Sequence, residues 1–130
     1  MGEEIMPSES EWIIMEILWE SGVPMTSSEL IQKLQGATDM TPKMVRVLLN
    51  RLCGKKIVDY KVDEKDARVY HYFALKSRAE CVKEKGRKFI SSYFSGKETE
   101  AFAALLQSVT LTEEQIEELE EILEQSRETR

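Results

Sequence analysis

Thr41-Pro42-Lys43-Met44-Val45-Arg46-Val47-Leu48-Leu49-Asn50-Arg51-Leu52 combines a helix start with a buried stripe and a cationic outer face. Thr41 offers a hydroxyl to cap the unpaired backbone N–H groups of a helix start, and Pro42 suits the first helical position, where a missing N–H costs nothing. Val45, Leu48, Leu49 and Leu52 then recur at i, i+3, i+4 and i+7, the spacing of a buried helical stripe. Lys43, Arg46, Val47 and Asn50 point the other way, with Arg51 at the border. No acid occurs from Met40 to Val58. A helix that is merely solvated would more often carry glutamate there. Two cations, an amide and a small apolar group near a helix start can meet phosphates, base edges and thymine methyl groups in a DNA major groove.

Upstream, two further helix starts follow in quick succession. Ser8-Glu9-Ser10-Glu11 and Thr26-Ser27-Ser28-Glu29 both fit the capping box, in which the later Glu reaches back to the cap residue's own N–H. Trp12, Met15, Leu18 and Trp19 form the expected apolar face of the first helix, which Gly22-Val23-Pro24 ends. Leu30, Ile31 and Leu34 supply the second, and the turn from Gly36 to Asp39 leads to the third. Downstream the period changes to alternation, with strands expected over Ile57–Val62 and Arg68–Phe73 around a polar turn, Asp63-Glu64-Lys65-Asp66. Tyr70 and Tyr72 are expected to pack this hairpin. Three helices and a hairpin make a winged helix-turn-helix, so the expected fold is mostly α with a small β-hairpin. Lys61, Lys65 and Arg68 on the hairpin could meet sugar-phosphate backbone.

The chain has 130 residues, 42% of them hydrophobic, and can bury a core without disulfides or a structural metal. Its net charge of −6 argues against nucleic acid when taken alone. The distribution argues differently, because between Met40 and Lys61 the cations Lys43, Arg46, Arg51, Lys55, Lys56 and Lys61 face a single acid, Asp59. From Glu98 onward glutamates dominate, opposed only by Arg127 and Arg130. Cys53 and Cys81 lie far apart without a Cys-x-x-Cys spacing, and the lone His71 has no clustered partners, so neither metal nor cofactor is expected. No nucleophile with a base, carboxylate pair or phosphate-cradling glycine loop marks an enzyme. Met1-Gly2-Glu3-Glu4 lacks a basic, apolar leader, and no apolar run spans a bilayer, so a cytoplasmic protein without membrane insertion is expected.

The run Trp12 to Trp19, the stretch Met40 to Leu52 and Asp66-Ala67-Arg68-Val69-Tyr70-His71-Tyr72 together resemble the penicillinase repressor and methicillin-resistance regulator family (BlaI/MecI type). Phe89-Ile90-Ser91-Ser92-Tyr93-Phe94-Ser95-Gly96 is similar to that family's aromatic-then-Gly linker, and the likeness continues through Leu111 to Leu119. The resemblance implies a homodimeric repressor on a dyad-symmetric duplex operator, released by an unidentified signal. The implied domains are a DNA-binding head, 1–76, and a helical dimerisation module, 77–130. DNA contacts are then expected from Thr41, Lys43, Arg46, Val47, Asn50, Arg51, Lys55, Lys61, Lys65 and Arg68. Within the module, Ser77-Arg78-Ala79-Glu80 starts a helix, and Val82 and Ile90 add to its apolar side. Phe89, Tyr93, Phe102, Leu105, Leu106, Ile116, Leu119, Ile122 and Leu123 are the expected dimer contacts. Some relatives are cut at an Asn-Phe bond by a sensor protease; the matching position here, Ala104-Leu105, lacks that pair and leaves a regulatory protease without its motif. The cysteine-rich segment of copper-responsive relatives is also missing after Cys81. A winged helix that binds protein instead of DNA is the competing reading, favoured by the acidic net charge and opposed by the Lys43, Arg46 and Asn50 face.

Overall fold

The computed structural model describes residues 6–129. Met1-Gly2-Glu3-Glu4, read above for its lack of a leader, lies outside them, as does Arg130. The elements are α1 (Glu9–Ser21), α2 (Ser27–Leu34), α3 (Pro42–Gly54), β1 (Val58–Val62), β2 (Tyr70–Ala74), α4 (Arg78–Phe94), α5 (Glu98–Gln107) and α6 (Glu113–Glu128). This is the mostly helical fold with one antiparallel hairpin that the sequence implied. No helix among the described residues is long and apolar enough to cross a membrane. The chain divides into two compact units, one through Gly86 and one from Arg87, so the division falls inside α4.

The first unit is built on three capped helices. Ser8 and Thr26 close reciprocal capping boxes with Glu11 and Glu29, and the Thr41 hydroxyl accepts from Met44 N at 3.1 Å. Its core takes Ile14, Met15 and Leu18 from α1, Leu30 and Leu34 from α2, Val45, Leu48, Leu49 and Leu52 from α3, and Ile57, Val58 and Tyr72 from the hairpin. Each such aliphatic side chain contributes about 1.5–3 kcal/mol by leaving water. Two details differ from the sequence expectation. The buried stripe of α1 runs through Glu11, Ile14, Met15 and Leu18, whereas Trp12 and Trp19 are half-buried and meet edge to face at 5.2 Å. The tryptophan side faces the chain around α4: Trp19 Nε1 donates to Lys76 O at 2.8 Å, and Arg78 donates to Glu16 from Nε at 3.0 Å and Nη2 at 3.2 Å. These links hold the first turns of α4 to α1, which is why the compact unit extends past residue 76.

The hairpin pairs Val58 with Ala74 through Val62 with Tyr70. The return strand starts later than expected, because Val69 N turns to Asp66 O inside the loop at 3.0 Å and so closes only half of the next ladder pair, in which Asp63 N reaches Val69 O at 2.8 Å, while loop carboxylates hold the neighbouring N–H groups. Asp63 accepts from Lys65 N at 3.0 Å and Asp66 N at 3.1 Å, and Asp66 accepts from Arg68 N at 3.0 Å. Met25 adds a single-residue bridge on the other side of β2, exchanging bonds of 2.9 and 2.7 Å with Tyr72. That bridge fixes the start of α2 against the hairpin.

In the second unit, Phe89 touches Tyr93 and Phe94 at ring separations of 5.5 and 5.7 Å, and Ala101 is buried. Ser95 and Gly96 both adopt left-handed backbone, with φ of 51° and 80°, and end α4 at the expected linker. α6 starts on a capping box between Thr112 and Gln115.

Candidate nucleic-acid interface

α3 packs its stripe against α1, α2 and β1 and leaves the opposite face in water. Thr41, Lys43, Arg46, Val47, Asn50 and Arg51 are all exposed, and the last five share that face. Its first turn carries no acid, so the unpaired N–H groups and the positive end of the helix dipole add to the cations. The arrangement is a ridge of positive charge with an amide and apolar side chains within it.

The end of α3 is held by a Schellman motif. Lys56 N donates to Cys53 O at 3.0 Å and Ile57 N donates to Leu52 O at 3.1 Å, while buried Ile57 and Leu52 sit at its two ends. Lys56 occupies the left-handed position, φ 62°, where glycine is the usual residue. In the sequence this lysine is one cation among several, and its backbone state is invisible without the helix end.

Lys55 turns away from the expected phosphate role. Its ammonium donates to Glu11 Oε1 at 2.7 Å and to Met6 O at 3.0 Å, tying the end of α3 to the start of α1. Glu11 is 1% exposed. Burial pushes its carboxyl up, yet hydrogen bonds from Lys55 and from the Ser8 N–H outweigh that and hold it below its ordinary value. Local spacing marks Glu11 as a capping residue but carries nothing of its burial or of its partner 44 positions away.

The hairpin is electrically mixed. Lys61 and Lys65 are exposed and line an open groove with Pro24, Asp63, Glu64 and His71. Arg68 is 90% exposed but bonded through Nε and Nη2 to Asp66 at 3.1 and 3.2 Å. His71 Nε2 lies 2.8 Å from Asp63 Oδ1, an arrangement that makes Nε2 the proton-bearing nitrogen of the ring. That bond, with the Lys65 N–H, holds the Asp63 carboxyl below its ordinary value. Tyr60 and Tyr70 stack at 4.2 Å and 13°, and Tyr70 and Tyr72 meet edge to face, so the tyrosines pack the hairpin. With Asp59, Asp63, Glu64 and Asp66 among its cations, the hairpin is a weaker anion site than α3.

Burial pushes both free thiols, Cys53 and Cys81, up, which disfavours the reactive thiolate. No group of His, Cys, Asp and Glu among the described residues is placed to hold a metal. In the second unit Tyr93, Phe102, Leu105, Leu106, Ile122 and Leu123 are exposed, Phe89 is nearly as open, and Ile116 and Leu119 are half-buried. Ala104 and Leu105 lie inside α5, in regular helix.

Comparison with known proteins agrees with this geometry. The family profile described as penicillinase repressor matches residues 7–125. The methicillin resistance regulatory protein MecI of Staphylococcus aureus strain N315 is 28% identical over 116 residues, 89% of this chain and 91% of that protein. A penicillinase repressor of Bacillus licheniformis is 25% identical over 118 residues, covering 91% and 89%. Among solved structures, the DNA-binding domain of the repressor BlaI superposes with a TM-score of 0.51 at 21% identity, covering 62% of this chain and 93% of that domain. A mutant of S. aureus MepR bound to an oligodeoxyribonucleotide gives a TM-score of 0.51 at 20% identity, over 94% of this chain and 78% of that one. At these identities the two structures speak to the fold.

Proposed function

Because the chain belongs to the penicillinase repressor family, we propose that it is a homodimeric transcriptional repressor that grips a dyad-symmetric duplex operator with α3 of each subunit. The observation that carries this reading is the exposed, acid-free outer face of α3. Arg46 and Asn50 are the base readers, suited to guanine and adenine edges respectively. Lys43, Arg51 and the Thr41 end of the helix hold phosphate. Lys61 and Lys65 add backbone contacts from the hairpin, and Arg68 adds less because Asp66 shares its charge. Lys55 is left out of the footprint, its donors being turned to Glu11 and Met6.

The head comprises residues 1–76 and the dimerisation module residues 77–130, which opens with α4. The exposed apolar residues of α5 and α6 support the second part, since a copy of the same face is the simplest cover for them. A signal that the residues do not encode releases the repressor.

The net charge of −6 favours the rival in which the winged helix binds protein. Duplex binding measured at two salt concentrations separates them. A DNA binder loses affinity with a log-log slope of about −0.9 for each phosphate contact. No retardation of any duplex selected from a random pool, even at low salt, would favour the protein-binding reading.

A further inference from the structure

Two apolar side chains interrupt the polar outer face of α3: Met44, 44% exposed, and Val47, 39% exposed. They are three residues apart and therefore neighbours on one side of the helix. At about 100° per residue, Arg46 and Asn50 lie on one flank of Val47 and Met44 on the other. The Met44 N–H is held by the Thr41 hydroxyl, which fixes this residue in the first turn, where recognition helices touch base edges.

Single exposed apolar residues need no explanation, but a pair set among Lys43, Arg46 and Arg51 on a face without acid does. The surrounding cations suit a polyanion. On a polyanionic duplex, the apolar group presented at the major-groove edge is the C5-methyl of thymine. We infer that Met44, acting with Val47, is a specificity-determining residue that reads thymine methyl groups beside the base pairs met by Arg46 and Asn50. Arg46 and Asn50 then supply hydrogen-bond recognition, while Met44 separates thymine from cytosine by contact alone. This inference rests on the duplex-binding reading above.

The test uses the full chain and an operator selected from random duplexes, with each thymine replaced singly by deoxyuridine, which removes only the methyl group. Burying one methyl group is worth about fourfold in affinity. At one or more positions per half-site, deoxyuridine should weaken wild-type binding by about that factor. The loss should vanish in Met44→Ala and persist in Met44→Leu, which keeps an apolar side chain of similar size. Affinity for random duplexes and its salt slope should stay the same in both variants, and unchanged melting would show that they fold. If every deoxyuridine effect is the same in Met44→Ala as in wild type, the inference is overturned while duplex binding stands. If wild type binds no duplex, the reading beneath it falls as well.

Discussion

Replacing Lys55 by Met removes the only cation bonded to Glu11 among the described residues, while the carboxyl stays at 1% exposure. The penalty can be worked from the two states open to Glu11. Left ionised and unpaired in the interior, it costs about 3–5 kcal/mol. Taking a proton instead, a carboxyl with an ordinary value of 4.5 costs about 3.4 kcal/mol at pH 7, at about 1.36 kcal/mol per pH unit. The cheaper route sets the limit, so Lys55→Met should destabilise the protein by about 3 kcal/mol at pH 7, a large share of a typical 5–15 kcal/mol. In wild type the lowered folded value means Glu11 contributes stability above its unfolded value, and the contribution is lost as pH falls through the folded value. In the variant the folded value is raised, so its deficit should shrink on acidification, to about 1.4 kcal/mol near pH 5.5. Urea unfolding followed by the fluorescence of Trp12 and Trp19, at pH 7 and 5.5, measures both. Adding Glu11→Gln to Lys55→Met should recover most of the loss at pH 7. A deficit under about 1 kcal/mol that does not change with pH would mean that Glu11 does not depend on Lys55 for its charge.

Further expectations concern both units. Lys56→Gly should raise stability by about 1 kcal/mol in urea unfolding, since it relieves a left-handed non-glycine residue within an intact Schellman motif; a loss would mean the lysine side chain supports the helix end. Arg46→Ala and Asn50→Ala should each cost roughly 1–3 kcal/mol of discrimination between selected and random duplexes, and equal losses on both would make them phosphate contacts. Leu119→Asp with Leu123→Asp should sediment as monomer, and a persisting dimer would place this face of α6 within its own subunit.

Local chemistry was legible in the sequence and tertiary chemistry was not. The caps at Ser8, Thr26, Thr41 and Ser77 read correctly because each depends on residues at most three positions apart. The stripe of α3 read correctly because its partners surround it on one side only. α1 has apolar residues on two faces, and periodicity alone could not tell the side buried in the core, with Ile14, from the side with Trp12 and Trp19 that faces the start of α4. The hairpin is legible, but its return strand starts later than alternation implies, because the loop turns Val69 N to Asp66 O and the Asp63 and Asp66 carboxylates hold the N–H groups beside it. At the candidate interface the exposed cations of α3 were identified from their phase. Lys55 has the same composition signal as its neighbours and a different role, which only the approach of Glu11 reveals.

Charge reversal on the outer face of α3 shows whether that face holds duplex DNA. Lys43→Glu with Arg46→Glu changes two exposed residues, and the acid at position 43 suits the positive end of the helix, so folding should be unaffected. Melting should be unchanged, operator affinity at physiological salt should fall by more than about a hundredfold, and the salt slope should become shallower by about 0.9 per phosphate contact removed. Operator binding within about threefold of wild type, with the same salt slope, would mean that DNA is held by some other face.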